Sequence, residues 1–345
     1  MTRSDPRPAV QQFLRAQGLL APGAEAVLTP LHGGVSSDLW KAELGDRTVC
    51  VKGALAQLKV DREWWAPISR NRVEYDWLRS AGAIAPTQVP RVLGHDEQAG
   101  LFAMEFLPPQ DYPVWKRELL AGRVDAGAAR QVGDLVGRLH SASAADPDSP
   151  TRFATDDNFT VLRIDPFLRV TAEAHPDLAT RFDALAATTA GTHLAVVHGD
   201  VSPKNILLGP HGPVLLDAEC AWFGDPAFDI AFCLSHLVIK AIKVTGTATE
   251  ILEAASELVD GHARHVDWEP VDALDARVAA LLPALALARV DGTSPVDYLD
   301  ATGQDRVRAA ALPLLRDPAP TTADALDRWA GANTAPAPDT KDRSR

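Results

Sequence analysis

The chain has 345 residues, with 34 Lys and Arg against 46 Asp and Glu, which gives a formal net charge of −12. Hydrophobic residues at 46% and charged residues at 23% are ordinary for a globular protein and exclude wholesale disorder, while the length suggests two domains or one bilobal unit. An acidic chain lacks the basic field that displaces counterions from phosphates, which argues against a general nucleic-acid binder.

The N-terminus, Met1-Thr2-Arg3-Ser4-Asp5-Pro6, has no apolar core of a signal peptide, and no stretch reaches the ~18 apolar residues of a membrane span. Cys50, Cys220 and Cys233 sit in apolar contexts outside any paired spacing. The chain therefore reads as cytoplasmic, with no membrane partner.

Residues 6–20 carry a helical pattern, with Val10, Phe13, Leu14 and Leu19 or Leu20 on one side. Three short β-type runs follow at 26–31, 39–44 and 47–53, separated by Gly33-Gly34 and Gly45-Asp46, which predicts an antiparallel meander. A long polar and aromatic stretch leads to a helix over 68–80, where Val73, Trp77 and Leu78 share a face. Strands at 91–95 and 101–107 complete a five-stranded antiparallel sheet with one inserted helix. Pro108-Pro109 then breaks regular structure and marks a boundary. Beyond it the chain reads as mainly helical, at 124–142, 176–190, 225–242, 247–264, 270–289 and 321–330, with one β element at 194–219. Residues 333–345, rich in Pro, Thr and charge, read as a disordered tail.

The chemistry concentrates in the β element. Apolar runs 206–208 and 213–216 flank Gly209-Pro210-His211-Gly212, which predicts a β-hairpin. A hairpin returns the chain to its starting end, so Asn205 and Asp217 emerge side by side, with Asp200 one loop away. Asn plus carboxylate suits a hard cation such as Mg²⁺, which keeps several waters and takes few protein ligands. A carboxylate outside the metal shell can orient or deprotonate a hydroxyl.

His198-Gly199-Asp200, then Asn205, then Asp217-Ala218-Glu219 resembles the aminoglycoside phosphotransferase/choline kinase-like family, as does Gly224-Asp225-Pro226-Ala227-Phe228-Asp229. The resemblance spans about residues 30–330. It implies an α+β, bilobal, protein-kinase-like fold: residues 1–107 a nucleotide-binding lobe and 108–332 a helical catalytic and acceptor-binding lobe. Carried over, Asp200 matches the catalytic base. Asn205 and Asp217 match the metal ligands, with Glu219 as an accessory ligand, and His198 braces the loop.

The first lobe supplies the nucleotide side of the resemblance. Successive N–H groups and hydroxyls around Gly33, Gly34, Ser36 and Ser37 suit phosphate oxygens. Lys52, after Val49-Cys50-Val51, matches the Lys that binds the α/β-phosphates, with Glu74 as its ion-pair partner and Glu63 as runner-up. Met104-Glu105-Phe106-Leu107 matches the segment joining the lobes, so the backbone at Glu105 and Leu107 would hold adenine. Residues 51–55 and 58–67, which include Trp64-Trp65, are similar to methylthioribose kinases within the superfamily. Packing of a long insertion accounts for that double Trp equally well.

The expected activity is transfer of the γ-phosphate of ATP, with Mg²⁺, to a hydroxyl of a sugar, aminoglycoside or amino alcohol. Residues 244–300 hold 11 Asp and Glu against 3 Arg, a balance of −8. Such a wall would favour a cationic acceptor, a solvated helical face explains it as well, and Arg289 to Pro295 would suit a neutral sugar. The alternative is a kinase-like module that holds nucleotide or a partner without turnover. Protein phosphorylation is disfavoured, because Glu219 runs almost directly into Gly224-Asp225-Pro226 and leaves little chain for a peptide platform.

Overall fold

The structure, a computed structural model, describes residues 5–31, 37–54 and 69–334. Helix α1 (Arg7–Ala16) precedes β1 (Val27–Leu31), β2 (Ser37–Glu43) and β3 (Thr48–Ala54), and α2 (Arg70–Ile84) precedes β4 (Val92–Asp96) and β5 (Leu101–Glu105). The five strands form one antiparallel sheet in the order β1-β2-β3-β5-β4, so β3 lies at its centre.

Side chains alternate along a strand, and β3 therefore serves two faces. Val49 and Val51 join Ala103 in a cluster with Val10, Phe13 and Leu14 of α1. Cys50 joins Phe102 and Met104 on the other side, with Trp77 and Leu78 of α2. Lys52 has the parity of Cys50, which sends its stem to the α2 side, where it is 5% exposed. The buried face of α2 is Asn71, Glu74, Trp77, Leu78 and Ala81, with Arg70 buried at its start. Val73, expected on that face, is only half-buried. The face turns to bring Glu74 inward, a position that apolar periodicity alone does not mark.

The second lobe is mainly helical. It contains α3 (Trp115–Leu120), α4 (Ala126–Ala145), the short turns α5 (Ser149–Arg152) and α6 (Asp156–Phe159), a π-helical segment (Thr160–Arg169), α7 (Val170–Ala174) and α8 (Ala179–Gly191). Four short strands follow: β6 (Ala195–Val197), β7 (Ile206–Gly209), β8 (Gly212–Leu215) and β9 (Trp222–Gly224). Then come α9 (Ala227–Lys243), α10 (Ala248–Ala263), α11 (Val271–Asp291), α12 (Ala301–Arg316) and α13 (Thr322–Thr334). β7 pairs with β8 as the expected hairpin, and β6 pairs with β9. Helix α9 is buried along almost its whole length, from Ala227 to Ile242, which makes it the pillar of this lobe. The tail expected from residue 333 lies outside the described residues beyond Thr334.

Candidate active site

Lys52 joins the two halves. Its Nζ lies 2.6 Å from Oε2 of Glu74 and also pairs with Oδ1 of Asp217. Two carboxylates share one ammonium. Burial works against the charge of Lys52, but Asp217 and Glu74 outweigh it and its pKa is raised. Burial works against Asp217 too, yet Lys52 and Lys204 hold its carboxyl well below the usual range. Burial pushes Glu74, the more enclosed partner, up to about 7.

Asp217 follows β8 and has φ of 69°. That left-handed conformation is uncommon outside Gly, Asn and Asp. At the other end of the hairpin, the Leu216 N–H donates to the Asn205 carbonyl at 2.9 Å, which fixes the two ends side by side. The Asn205 side-chain nitrogen donates to the Asp200 carbonyl at 3.2 Å. This leaves the amide oxygen as the free end of Asn205, beside an ionised Asp217. An amide oxygen and a carboxylate fit a hard divalent cation that keeps most of its waters. Among the described residues there is no cluster of three His, Cys, Asp or Glu that could form an all-protein metal cage.

Glu219 faces another partner. Its Oε2 accepts from Nε of Arg70 at 3.0 Å, and its carbonyl accepts from the Asn158 side chain at 2.8 Å. The Asp-x-Glu segment is thus tied to the start of α2 by Glu219 and to β3 by Asp217.

Asp200 is 5% exposed, on the loop after β6. Its Oδ2 lies 2.9 Å from Arg163 and 3.1 Å from Lys204, and Ser202 donates to Oδ1 at 3.1 Å. Burial alone would raise its pKa, but Lys204 and Arg163 outweigh burial and hold it low. His198 accepts the Asp200 N–H at Nδ1, 3.1 Å away, and its ring meets Trp77 edge-on. Burial lowers the His198 pKa, so the neutral ring braces the loop as a hydrogen-bond acceptor. Gly199 has φ of 77°, and a Cβ there would come within 2.8 Å of the Cys220 Cβ and carbonyl oxygen. Only glycine fits that turn.

Asp229, 0% exposed on the first turn of α9, accepts the backbone N–H of His198 at 2.7 Å and of Gly199 at 2.8 Å. His140 meets the same carboxylate at 3.1 Å. Sequence reasoning placed Asp229 in a motif without giving it a role, and missed Arg163 altogether. The His-Gly-Asp signature was legible, but its clasp from a residue some thirty positions later was not.

On the nucleotide side, Gly33, Gly34 and Ser36 lie outside the described residues, as do Glu63 and Trp64-Trp65. Ser37 opens β2 opposite Ala54 and is buried. Glu105 ends β5, and its N–H is spent on the Arg91 carbonyl at 2.9 Å. The Leu107 backbone, past the strand end, has no hydrogen-bond partner among the described residues. The carboxylates of residues 244–300 are mostly exposed or paired with arginines, and Asp297 pairs with Lys116. Glu250, Glu253, Asp260, Asp267, Asp272, Asp297 and Asp300 are exposed. Glu257, Glu269 and Asp291 pair with Arg130, Arg277 and Arg308, and Asp275 caps Thr322.

A model of the phosphotransferase enzyme family (APH) matches residues 27–243. The chain belongs to that family. Curated relatives include a methylthioribose kinase of Pectobacterium atrosepticum, 25% identical over 253 residues. That match covers 66% of this chain and 62% of the relative, so the chain spans less than two thirds of that relative's length. A methylthioribose kinase of Yersinia enterocolitica is 25% identical over 65% of this chain and 62% of its own. Among solved structures, an amicoumacin kinase in complex with AMP-PNP and Ca²⁺ aligns over 90% of this chain and 95% of its own, at 15% identity and a TM-score of 0.56. The Plasmodium vivax ethanolamine kinase aligns over 97% and 91%, at 9% identity and a TM-score of 0.54. These phosphotransferase-family and kinase likenesses share the α+β, bilobal, protein-kinase-like fold.

Proposed function

We propose that this phosphotransferase-family chain is an ATP-dependent small-molecule kinase that moves the γ-phosphate onto an acceptor hydroxyl. The observation that carries this reading is Lys52. Paired with Glu74 on α2 and reaching Asp217 at the end of the hairpin, it joins the sheet to the strand end beside Asp200. An ammonium held charged there suits the α/β-phosphates of ATP. The backbone at Glu105 and Leu107 would hold adenine. Gly33, Gly34, Ser36 and Ser37 would hold phosphate oxygens, with residues 1–107 as the nucleotide lobe and 108–332 as the acceptor lobe.

Asn205 and Asp217 would hold Mg²⁺, with Glu219 behind them in its pair with Arg70. Bound there, the metal ion supplies charge neutralisation of the transferring phosphate. Transfer forms a bond from the acceptor oxygen to the γ-phosphorus and breaks the bond to the β,γ-bridging oxygen. ADP leaves with that electron pair, and the hydroxyl proton passes to Asp200 or through it to solvent. Arg163 and Lys204 keep Asp200 ionised, which makes it a weak proton acceptor. Its work is therefore chiefly to orient the hydroxyl. A loose transition state asks for little proton removal before the new bond forms.

The test is an ATP-consumption screen over hydroxylated acceptors, run alongside the Asp217→Asn variant. Turnover that requires a divalent cation and disappears in the variant is expected. Wild-type-like turnover by Asp217→Asn overturns the metal assignment, and nucleotide binding without turnover on any acceptor favours a binding module.

A further inference from the structure

Two contact paths lead outward from Asp200, and each ends on a cation without a counter-ion among the described residues. The first runs through Arg163, 2.9 Å from Asp200, whose guanidinium sits 5.7 Å from the centre of the Phe167 ring. Arg289 of α11 lies 5.7 Å from the same ring. The second runs through the catalytic loop, where the Pro203 carbonyl accepts the Lys116 N–H at 2.8 Å. The Lys116 ammonium is 5.3 Å from the Tyr298 ring, and that of Lys240 on α9 is 5.3 Å from the same ring. The paths converge, because the Val296 N–H donates to the Arg289 carbonyl at 2.8 Å and so ties the Tyr298 loop to α11.

Local charges do not cancel. Arg163 and Lys204 both pair with Asp200, and Lys116 pairs with the exposed Asp297. Arg289 and Lys240 have no carboxylate partner among the described residues. The Arg289 Nε is shielded from solvent and makes no hydrogen bond. Lys240 is 1% exposed and donates only to neutral oxygens, the His236 carbonyl at 3.2 Å and the Tyr298 hydroxyl at 3.5 Å. Burial, first of all, works against both charges; Lys116 and Arg289 add to it at Lys240, and Arg163 adds to it at Arg289. His236 beside them is neutral, its pKa lowered by burial and by Lys240, and its Nε2 is also unpartnered. A buried cation without an anion is costly, and a fold that sets the buried Lys240 near the half-buried Arg289 gains from an anion brought there by a ligand. A guanidinium beside an ammonium and a phenol matches the oxygens of a carboxylate or a phosphate.

We propose that the acceptor carries an anionic group, a carboxylate or a phosphate, which Arg289 and Lys240 hold while Asp200 orients the hydroxyl. This rests on the kinase reading for the role of Asp200. The anion site itself stands on the unpaired cations. It turns away the cationic acceptors that the acidic composition of residues 244–300 suggested; Asp297, the carboxylate of that region that reaches this cluster, is exposed and pairs with Lys116.

The experiment is calorimetric titration of the intact protein with four probes: glucose, glucosamine, gluconate and glucose 6-phosphate. ATP with Mg²⁺ is titrated separately. At least one of the two anionic sugars should bind about tenfold or more tightly than glucose, one charge-assisted contact's worth, and glucosamine more weakly. The gluconate and phosphate arms tell a carboxylate site from a phosphate site. Arg289→Met and Lys240→Met should each erase the preference and leave ATP binding in place, and Arg289→Gln and Lys240→Gln must do the same if the Met variants fail to fold. Equal binding of all four, including binding of none, overturns the proposal, as does glucosamine binding as well as the anions. A preference that survives in both variants overturns it too. Failure of the unmodified protein to bind ATP defeats the kinase reading instead, and the sugar titrations still decide the anion site.

Discussion

Asp229, on the first turn of α9, accepts the backbone N–H of Gly199 at 2.8 Å. It takes the His198 N–H as well, at 2.7 Å. The loop that carries Asp200 is therefore hung from the most deeply buried helix of the second lobe. Asp229→Ala would leave two buried N–H groups without acceptors, at about 1–3 kcal/mol each. Urea denaturation should show a loss of that order, with Asp229→Asn between the variant and wild type. An unchanged urea midpoint would mean that the loop is held by other contacts.

Lys52 is expected to matter more than its partner on α2. Asp217 also pairs with Lys52, so it keeps the ammonium charged when Glu74 is removed. Lys52→Ala should weaken ATP binding severely and Glu74→Ala more mildly, as read by nucleotide titration. Equal losses would show that Glu74 positions the ammonium as strictly as the sheet does.

Arg70 is 0% exposed and holds Glu219 at 3.0 Å. Removing one member of a buried pair strands the other charge, at about 3–5 kcal/mol. Arg70→Met should lower stability by that order in chemical denaturation, and a loss below about 1 kcal/mol would place this pair with ordinary surface bridges.

Lys240 gives a pH signature. Burial first, then Lys116, lowers its pKa to about 7, against about 10.4 in an unfolded chain. Arg289, Asp297, Tyr298, Cys233 and His236 are the other titratable groups near it. The folded form resists the proton, so the unfolded chain binds more protons between about pH 7 and 10.4, and this contribution to stability rises with pH across that window. The penalty is full below about pH 7. Lys240→Met should raise the melting temperature most at pH 6 to 7 and flatten the rise seen above it in wild type. Parallel pH profiles for the two proteins would contradict the burial of an unpaired ammonium.

The sheet and the hairpin were legible because their signals are local. Apolar runs of strand length flank Gly45-Asp46 and Gly209 to Gly212, and turn chemistry alone pairs the strands. Asn205 and Asp217 were brought together on the same ground. The insertion of β5 between β3 and β4 was not legible, since strand order depends on packing between distant segments. Arg163 was hidden for another reason. Its π-helical segment contains Pro166, which spoils the helical period, so nothing marked that stretch as structured or its arginine as buried. Helix α12, which carries Pro313, was not expected either, although α11 was expected with Pro283 inside it, so proline alone does not hide a helix. The unpaired state of Arg289 and Lys240 is a property of what surrounds them, which composition cannot report and, over residues 244–300, misreports in sign.

In the proposed kinase, Asp200 meets the acceptor hydroxyl. The most direct measurement of that role is the pair of kcat and ATP affinity for Asp200→Asn, with an acceptor found by the consumption screen. Groups of this kind contribute about 10²–10⁴-fold to rate. The predicted result is a fall in kcat of that size with ATP binding little changed, because the carboxylate pairs with Arg163 and Lys204 and Lys52 does not touch it. Loss of ATP binding together with activity, or an unchanged kcat, would contradict it.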